Sequence, residues 1–180
     1  MTHPDLAPAF TLPRVDGGEE VFAPGSGSPT LVVFTGNRCP YALAWHDRIQ
    51  AVARDYAPRG VRSLQISPNS TGVVVDDSVE RSAERVAGGD FASPYLRDED
   101  QAVALAWGAE RTPHAFVIDG AGRIVYAGAP DADHDDPAQN AEYLRTALDE
   151  LLDGRPLSRG ETPAVGCTIK WLEGAAPPAS

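Results

Sequence analysis

The sequence predicts an α/β domain with a central mixed β-sheet flanked by helices. Three observations predict it. A continuous apolar run, "LVVFT" at 31–35, is bounded by a turn signal and suits a strand buried on both faces. From Pro40 the apolar period changes to that of a helix. Beyond it, strand-like and helix-like segments alternate until "HAFVID" and "RIVYAG", which read as a hairpin. Parallel βαβ pairing is therefore expected first and an antiparallel pair at one end.

Taken in order, residues 9–22 read as two short strands around Asp16-Gly17-Gly18. After "LVVFT", a helix opens at Pro40, carries Ala42, Trp45, Ile49, Val52, Ala53 and Tyr56 on one face, and ends at Pro58 and Gly60. "VRSLQIS" (61–67) is the next strand, followed by a loop through Pro68 and Gly72. Asp77 with Glu80 has the spacing of a capping box for a helix stopped by Gly88-Gly89. "SPYLRD" reads as a short strand, and Asp98 with Gln101 repeats the capping pattern for a helix of about three turns ending at Gly108. After the hairpin, Asp136-Pro137 opens a last helix with Ala141, Leu144, Leu148, Leu151 and Leu152 inward. The Pro- and Gly-rich tail has an apolar island around Cys167 and Trp171 that is expected to dock, with "GAAPPAS" fraying beyond it.

With 180 residues, 42% apolar and 23% charged, the chain is long enough to bury a core without covalent staples. Its net charge of −11 repels nucleic acid and anionic membrane, so neither is expected as a partner. There is no apolar run of membrane-spanning length and no signal-peptide pattern, so a cytoplasmic location is expected. Two cysteines, Cys39 and Cys167, are too few for a disulfide scaffold and too far apart for a zinc knuckle, which leaves redox chemistry.

Cys39 stands where the strand-to-helix loop meets the helix, with Pro40 at the first helical position. Unpaired backbone N–H groups and the positive end of the helix dipole lie there, and both favour a thiolate, the nucleophilic form of sulfur. Arg38 adds positive charge if its side chain turns to the sulfur. The competing reading is a small apolar filler, since free cysteine is often buried.

"FTGNRCPYALAWHDRI", "RTPHAFVIDGAGRIVYAG" and "ETPAVGCTIKW" together resemble the thioredoxin-like superfamily, specifically its peroxiredoxin-like redoxin branch, the alkyl hydroperoxide reductase and thiol-specific antioxidant type with a Cys-Pro-Tyr-Ala site. The resemblance implies a thioredoxin-like redoxin domain over residues 1–154, with 155–180 a tail docked on it. It implies Cys39 at the head of the first helix and a cis Pro113 lying against it, with the Thr112 backbone turned toward an extended substrate. Thioredoxins carry a second cysteine where Ala42 stands, and this branch often carries others where Gly36 and Arg111 stand, so no local relay is available. Cys39 aligns with the first cysteine of the thioredoxin pair, and the peroxidatic cysteine of true peroxiredoxins aligns with the second.

Cys167 is the remaining partner, either as a resolving thiol or as a packing residue beside Ile169 and Trp171. Asn37 is expected to hold the loop by hydrogen bonds and to line the substrate site with Arg38, Pro40, Tyr41, Thr112 and Pro113. Tyr41 and Trp45 also read as packing residues. His46 and Asp47 are two turns too far along the helix to activate the sulfur, while His114 could approach it. "DADHDD" (131–136) lacks the glycine and distal glutamate of a calcium loop and reads as a solvated acidic loop. The expectation is a thiol-dependent oxidoreductase acting on a disulfide or a peroxide. It is regenerated by an external thiol, thioredoxin-like or low-molecular-weight, and needs no metal or organic cofactor. The alternative is a non-catalytic binding module on the same scaffold.

Overall fold

The computed structural model describes residues 3–175, so the last five residues of "GAAPPAS" lie outside the described residues. A five-stranded sheet has the order β5-β4-β3-β7-β8, where β3 is Thr30–Phe34, β4 Arg62–Ser67, β5 Tyr95–Arg97, β7 His114–Ile118 and β8 Ile124–Gly128. β3, β4 and β5 run parallel, while β7 is antiparallel to both β3 and β8. β1 (Phe10–Pro13) and β2 (Glu19–Phe22) form the leading hairpin. A further pair, β6 (Arg111–Thr112) with β9 (Cys167–Thr168), was not legible in the sequence.

The unbroken apolar run of β3 follows from its central place. Val32 and Phe34 face a core shared with Phe10, Phe22, Trp107 and Phe116, under the hairpin and α3 (Ala102–Trp107). Leu31 and Val33 face the other core, with Trp45, Ile49 and Val52 of α1 (Pro40–Tyr56) and Leu144 and Leu148 of α4 (Glu142–Leu152). Alternate side chains of one strand thus serve two cores. No helix among the described residues is long and apolar enough to cross a membrane.

Three helix starts differ from the sequence reading. α2 (Val79–Ala87) is capped by Ser78, whose Oγ accepts the Arg81 N–H, and Asp77 turns inward instead. α3 has six residues, and the Asp98 carboxylate accepts from Val103 and Ala104 across Gln101, which has φ +64°. α4 begins at Glu142 rather than Pro137, because buried Asp131 captures the Ala141 N–H at 2.9 Å. Asp131 also accepts from Trp45 Nε1 at 2.6 Å and pairs with Arg48 at 3.0 Å, so the first acid of "DADHDD" is a core anchor and not part of a solvated loop. Replacing Asp131 by alanine leaves the Trp45 N–H and the Arg48 charge short of a partner. A stability loss of about 3 kcal/mol is expected in urea unfolding.

Candidate functional site

β3 delivers the chain to residues 35–39, and α1 starts immediately after. Cys39 is the N-cap residue, in extended conformation, with Pro40 at the first helical position. The amides of Tyr41 and Ala42 have no acceptor within the helix and lie at its positive end, and no acid occupies the first turn. Cys39 is buried, and its S–H donates to the Thr112 carbonyl at 2.7 Å. The Thr112-Pro113 peptide bond is cis.

The second thiol arrives by the β6–β9 pairing, which sets Cys167 opposite Thr112 and Thr168 opposite Arg111. Thr112 therefore touches both cysteine segments, one through its carbonyl and the other through the strand ladder. The Cys167 thiol is pushed up to about 11 by its partial burial and then by hydrogen bonding to, and the charge of, the neighbouring Cys39 sulfur. Both cysteines are free thiols. The tail is built into the fold: Ile169 is buried in the core, Trp171 packs on it, and Thr162 is bonded to Ala129 and Tyr126. Between the two sulfurs and the loop after β4 lies a cleft of about 400 Å³, lined by Pro40, Val73, Val74 and Thr112 as well as both cysteines. Arg38 and Lys170 add two cations to it.

Of the residues singled out in the sequence, the cleft gathers Arg38, Cys39, Pro40, Thr112 and Cys167. Arg38 does not turn to the sulfur. Its side chain is exposed, and its guanidinium lies 3.6 Å from Asp76. Asn37 is not among the cleft-lining residues: its amide donates to Asp76 O and Ser82 Oγ and accepts from Arg85 and Tyr95, so every polar position is used in holding the loop. Tyr41 packs on His134 at 4.4 Å between ring centres, outside the cleft lining, because a first-turn side chain two residues after the cap points to the other helix face. Pro113 lies beneath Gly166 and is not among the cleft-lining residues, so the tail covers the backbone that was expected to meet an extended substrate. His46 is half-buried against Asp90 O.

His114 stays away from the sulfurs. It is buried against Phe116, and its Nδ1 accepts from the Glu110 N–H. Burial pulls it down to about 4 from an ordinary 6.5. The unfolded chain takes up this proton near pH 6.5 and the folded chain only near 4. The contribution is therefore present above 6.5 and lost as pH falls to 4, with a size on the order of 3 kcal/mol. Denaturant titrations across that window are expected to show this loss, and His114→Gln to remove it.

Sequence reasoning missed Asn69, Asp77 and Gln101. Asp77 is buried, and its carboxylate accepts from the Asn37 N–H and from Asn69 Nδ2. Asn69 and Gln101 bind the tail backbone at Lys170 and Leu172. Asn69 carries no motif, and Asp77 and Gln101 each have the spacing of a helix-capping pair.

A sulfur at a helix N-terminus beside a second thiol can, in principle, cycle through an oxidised sulfur and a disulfide. Known proteins resemble the chain in sequence and fold. Solved structures of a hypothetical protein, SMc02350, from Sinorhizobium meliloti 1021 and of an uncharacterized conserved protein from Geobacillus kaustophilus are each 32% identical to the chain. The first superposes with a TM-score of 0.88, covering 97% of each chain, and the second with 0.89, covering 97% of this chain and 94% of that one. Peroxidoxin BcpB from Mycobacterium tuberculosis, at 20% identity with 85% of this chain and 95% of that chain covered, shares the thioredoxin-like fold with a TM-score of 0.60. The "Putative peroxiredoxin Rv2521" of Mycobacterium tuberculosis is 30% identical over 144 residues, 71% of this chain and 84% of its own. The model of the AhpC/TSA family matches residues 4–127, from the leading hairpin through the Cys39 helix to β8, and the chain belongs to that family.

Proposed function

We propose that the chain is a two-thiol reductase of small oxidised substrates, in which Cys39 is the nucleophile and Cys167 the resolving thiol. Membership of the AhpC/TSA family supports thiol-dependent redox chemistry in general. The observation that carries the finer reading is the pairing of Cys167 with Thr112, whose carbonyl holds the Cys39 thiol.

With a hydroperoxide, the Cys39 thiolate attacks the terminal oxygen. An S–O bond forms, the O–O bond breaks, and the alcohol or water leaves with a proton. Cys167, as thiolate, then attacks the sulfenic sulfur, forming the S–S bond and releasing water. With a disulfide, Cys39 forms a mixed disulfide and expels one thiol, and Cys167 expels the other. In either case two external thiols, or one dithiol, reduce the Cys39–Cys167 disulfide and leave as a disulfide themselves, as reduced thiol pools can.

The covered β6 edge favours a small substrate entering the cleft over a polypeptide adding a strand there. The same covering disfavours the alternative of a peptide-binding module.

The test is Cys167→Ser. It is expected to consume one equivalent of hydroperoxide and to leave a Cys39 sulfenic acid trappable by a 1,3-dicarbonyl reagent. Turnover with an external dithiol should fall by roughly tenfold or more. Turnover equal to that of the parent chain would remove Cys167 from the cycle.

A further inference from the structure

Two buried side chains, Asp77 and Asn69, connect the two cysteine segments. The backbone N–H of Asn37, two residues before Cys39, donates to Asp77 Oδ1. Asp77 Oδ2 accepts from Asn69 Nδ2 at 2.7 Å, and Asn69 Oδ1 accepts the backbone N–H of Lys170, three residues after Cys167, at 3.0 Å. Asp77 and Asn69 are 1% and 6% exposed and line the same cleft as both sulfurs. Arg97, itself buried, donates to the backbone carbonyls of both residues and fixes their spacing. Gln101 holds the other side of the same tail segment, donating to the Lys170 carbonyl at 2.8 Å and accepting the Leu172 N–H at 2.7 Å.

The direction of this chain is set by chemistry. A carboxylate only accepts, so both Asp77 oxygens require donors. Asn69 must therefore present its NH₂ to Asp77 and its oxygen to the tail, which is the orientation that captures an N–H of the strand carrying Cys167. Reversing the amide would set NH₂ against the Lys170 N–H and lose the link.

We propose that Asn69, oriented by Asp77, is the positioning residue for the disulfide step, holding the tail in the register that brings Cys167 to Cys39. It rests on the resolving role of Cys167 given above. It acts after the first oxidation, when the Cys167 sulfur must reach the oxidised Cys39 in competition with over-oxidation. Holding the tail raises the effective concentration of one sulfur at the other, and so shifts both the rate and the equilibrium of the S–S bond.

The experiment is a cycle of isosteric exchanges read in a glutathione redox buffer, where the Cys39–Cys167 disulfide is quantified against the glutathione ratio. Asp77→Asn introduces a second NH₂ into the chain and leaves one donor facing another wherever the amides turn. Asn69→Asp sets carboxylate against carboxylate. Each single exchange is expected to lower the disulfide equilibrium constant about tenfold, which moves the two-electron potential about 30 mV less negative. The double exchange restores a donor between positions 77 and 69 and an acceptor for the Lys170 N–H, and is expected to return to within about threefold of the parent.

Asn69→Ala breaks the tail link without opposing like groups. There the rate of the resolving step relative to that of the first oxidation of Cys39 should fall about tenfold. Double and single exchanges that are equally poor, or an Asn69→Ala chain that resolves at the parent rate, would overturn the positioning proposal alone. A parent chain that forms no Cys39–Cys167 disulfide in any buffer overturns the resolving role, and this proposal with it.

Discussion

Cys39→Ser is expected to abolish reduction of hydroperoxide or small disulfide, with turnover falling on the order of 10³-fold or more, the scale on which loss of a nucleophile acts. The fold should survive the change. The hydroxyl is slightly smaller than the thiol and can donate to the Thr112 carbonyl as the S–H does at 2.7 Å, while Pro40 still starts α1. What disappears is the chemistry. A hydroxyl keeps its proton at neutral pH, and oxygen cannot form the S–O or S–S intermediates on which the cycle depends. The variant also separates the two cysteines. Burial and the Cys39 sulfur together push the Cys167 thiol up to about 11, so in Cys39→Ser the part due to that sulfur is lost and Cys167 should be alkylated at a lower pH than in the parent. Thermal unfolding near the parent temperature with no turnover is the expected pair of readings. Retained turnover would place the nucleophile elsewhere.

The second large effect is expected from Gly166→Ala. A Cβ at Gly166 would lie 2.3 Å from the Thr112 oxygen, 2.7 Å from its carbonyl carbon and 3.1 Å from the Pro113 nitrogen. All three contacts are backbone atoms held by the sheet, so no side chain can swing aside. The tail must move. Overpacking of this kind costs about 1–3 kcal/mol, more than a ladder of two residue pairs can absorb in place. Ile169 and the Gln101 contacts keep the end of the tail attached, so the chain stays folded while β9 lifts from β6. Two rates should then diverge: alkylation of Cys39 rises because its cover is loosened, and Cys39–Cys167 disulfide formation falls roughly tenfold or more. A mere loss of stability would not move the two rates in opposite directions.

How much of this was legible in the sequence follows from which interactions are local. The Cys39 position, the buried run of β3 and the α1 face are written in neighbouring residues, so composition and period reveal them. The cis Thr112-Pro113 bond came from the resemblance, not from spacing. The β6–β9 pairing joins residues more than fifty positions apart through two backbone contacts, and no period marks a two-residue strand. Asn37 and Tyr41 were placed at the substrate site because they flank Cys39, yet neighbours along the chain at a strand-to-helix turn point in different directions. One is spent on the α2 side of the loop and the other on the loop before α4. Asp77 was read as a cap because an acid three residues before a glutamate satisfies a local rule. The nearby Ser78 does the capping, and the buried carboxylate answers a backbone N–H forty residues away. Asp98 kept its capping role but reached over a longer gap than the rule allows. The local rules failed where a buried carboxylate had a distant donor to satisfy, and there the partners belong to the site.

The two-thiol cycle is tested by treating the reduced protein with one equivalent of hydrogen peroxide, blocking remaining thiols and mapping the peptides by mass without reduction. The expected product is a monomer in which the peptide containing Cys39 is linked to the peptide containing Cys167 and no free thiol remains. A chain that instead carries sulfinic acid at Cys39 with Cys167 still a free thiol, or that links Cys39 only to Cys39 of a second molecule, would contradict it.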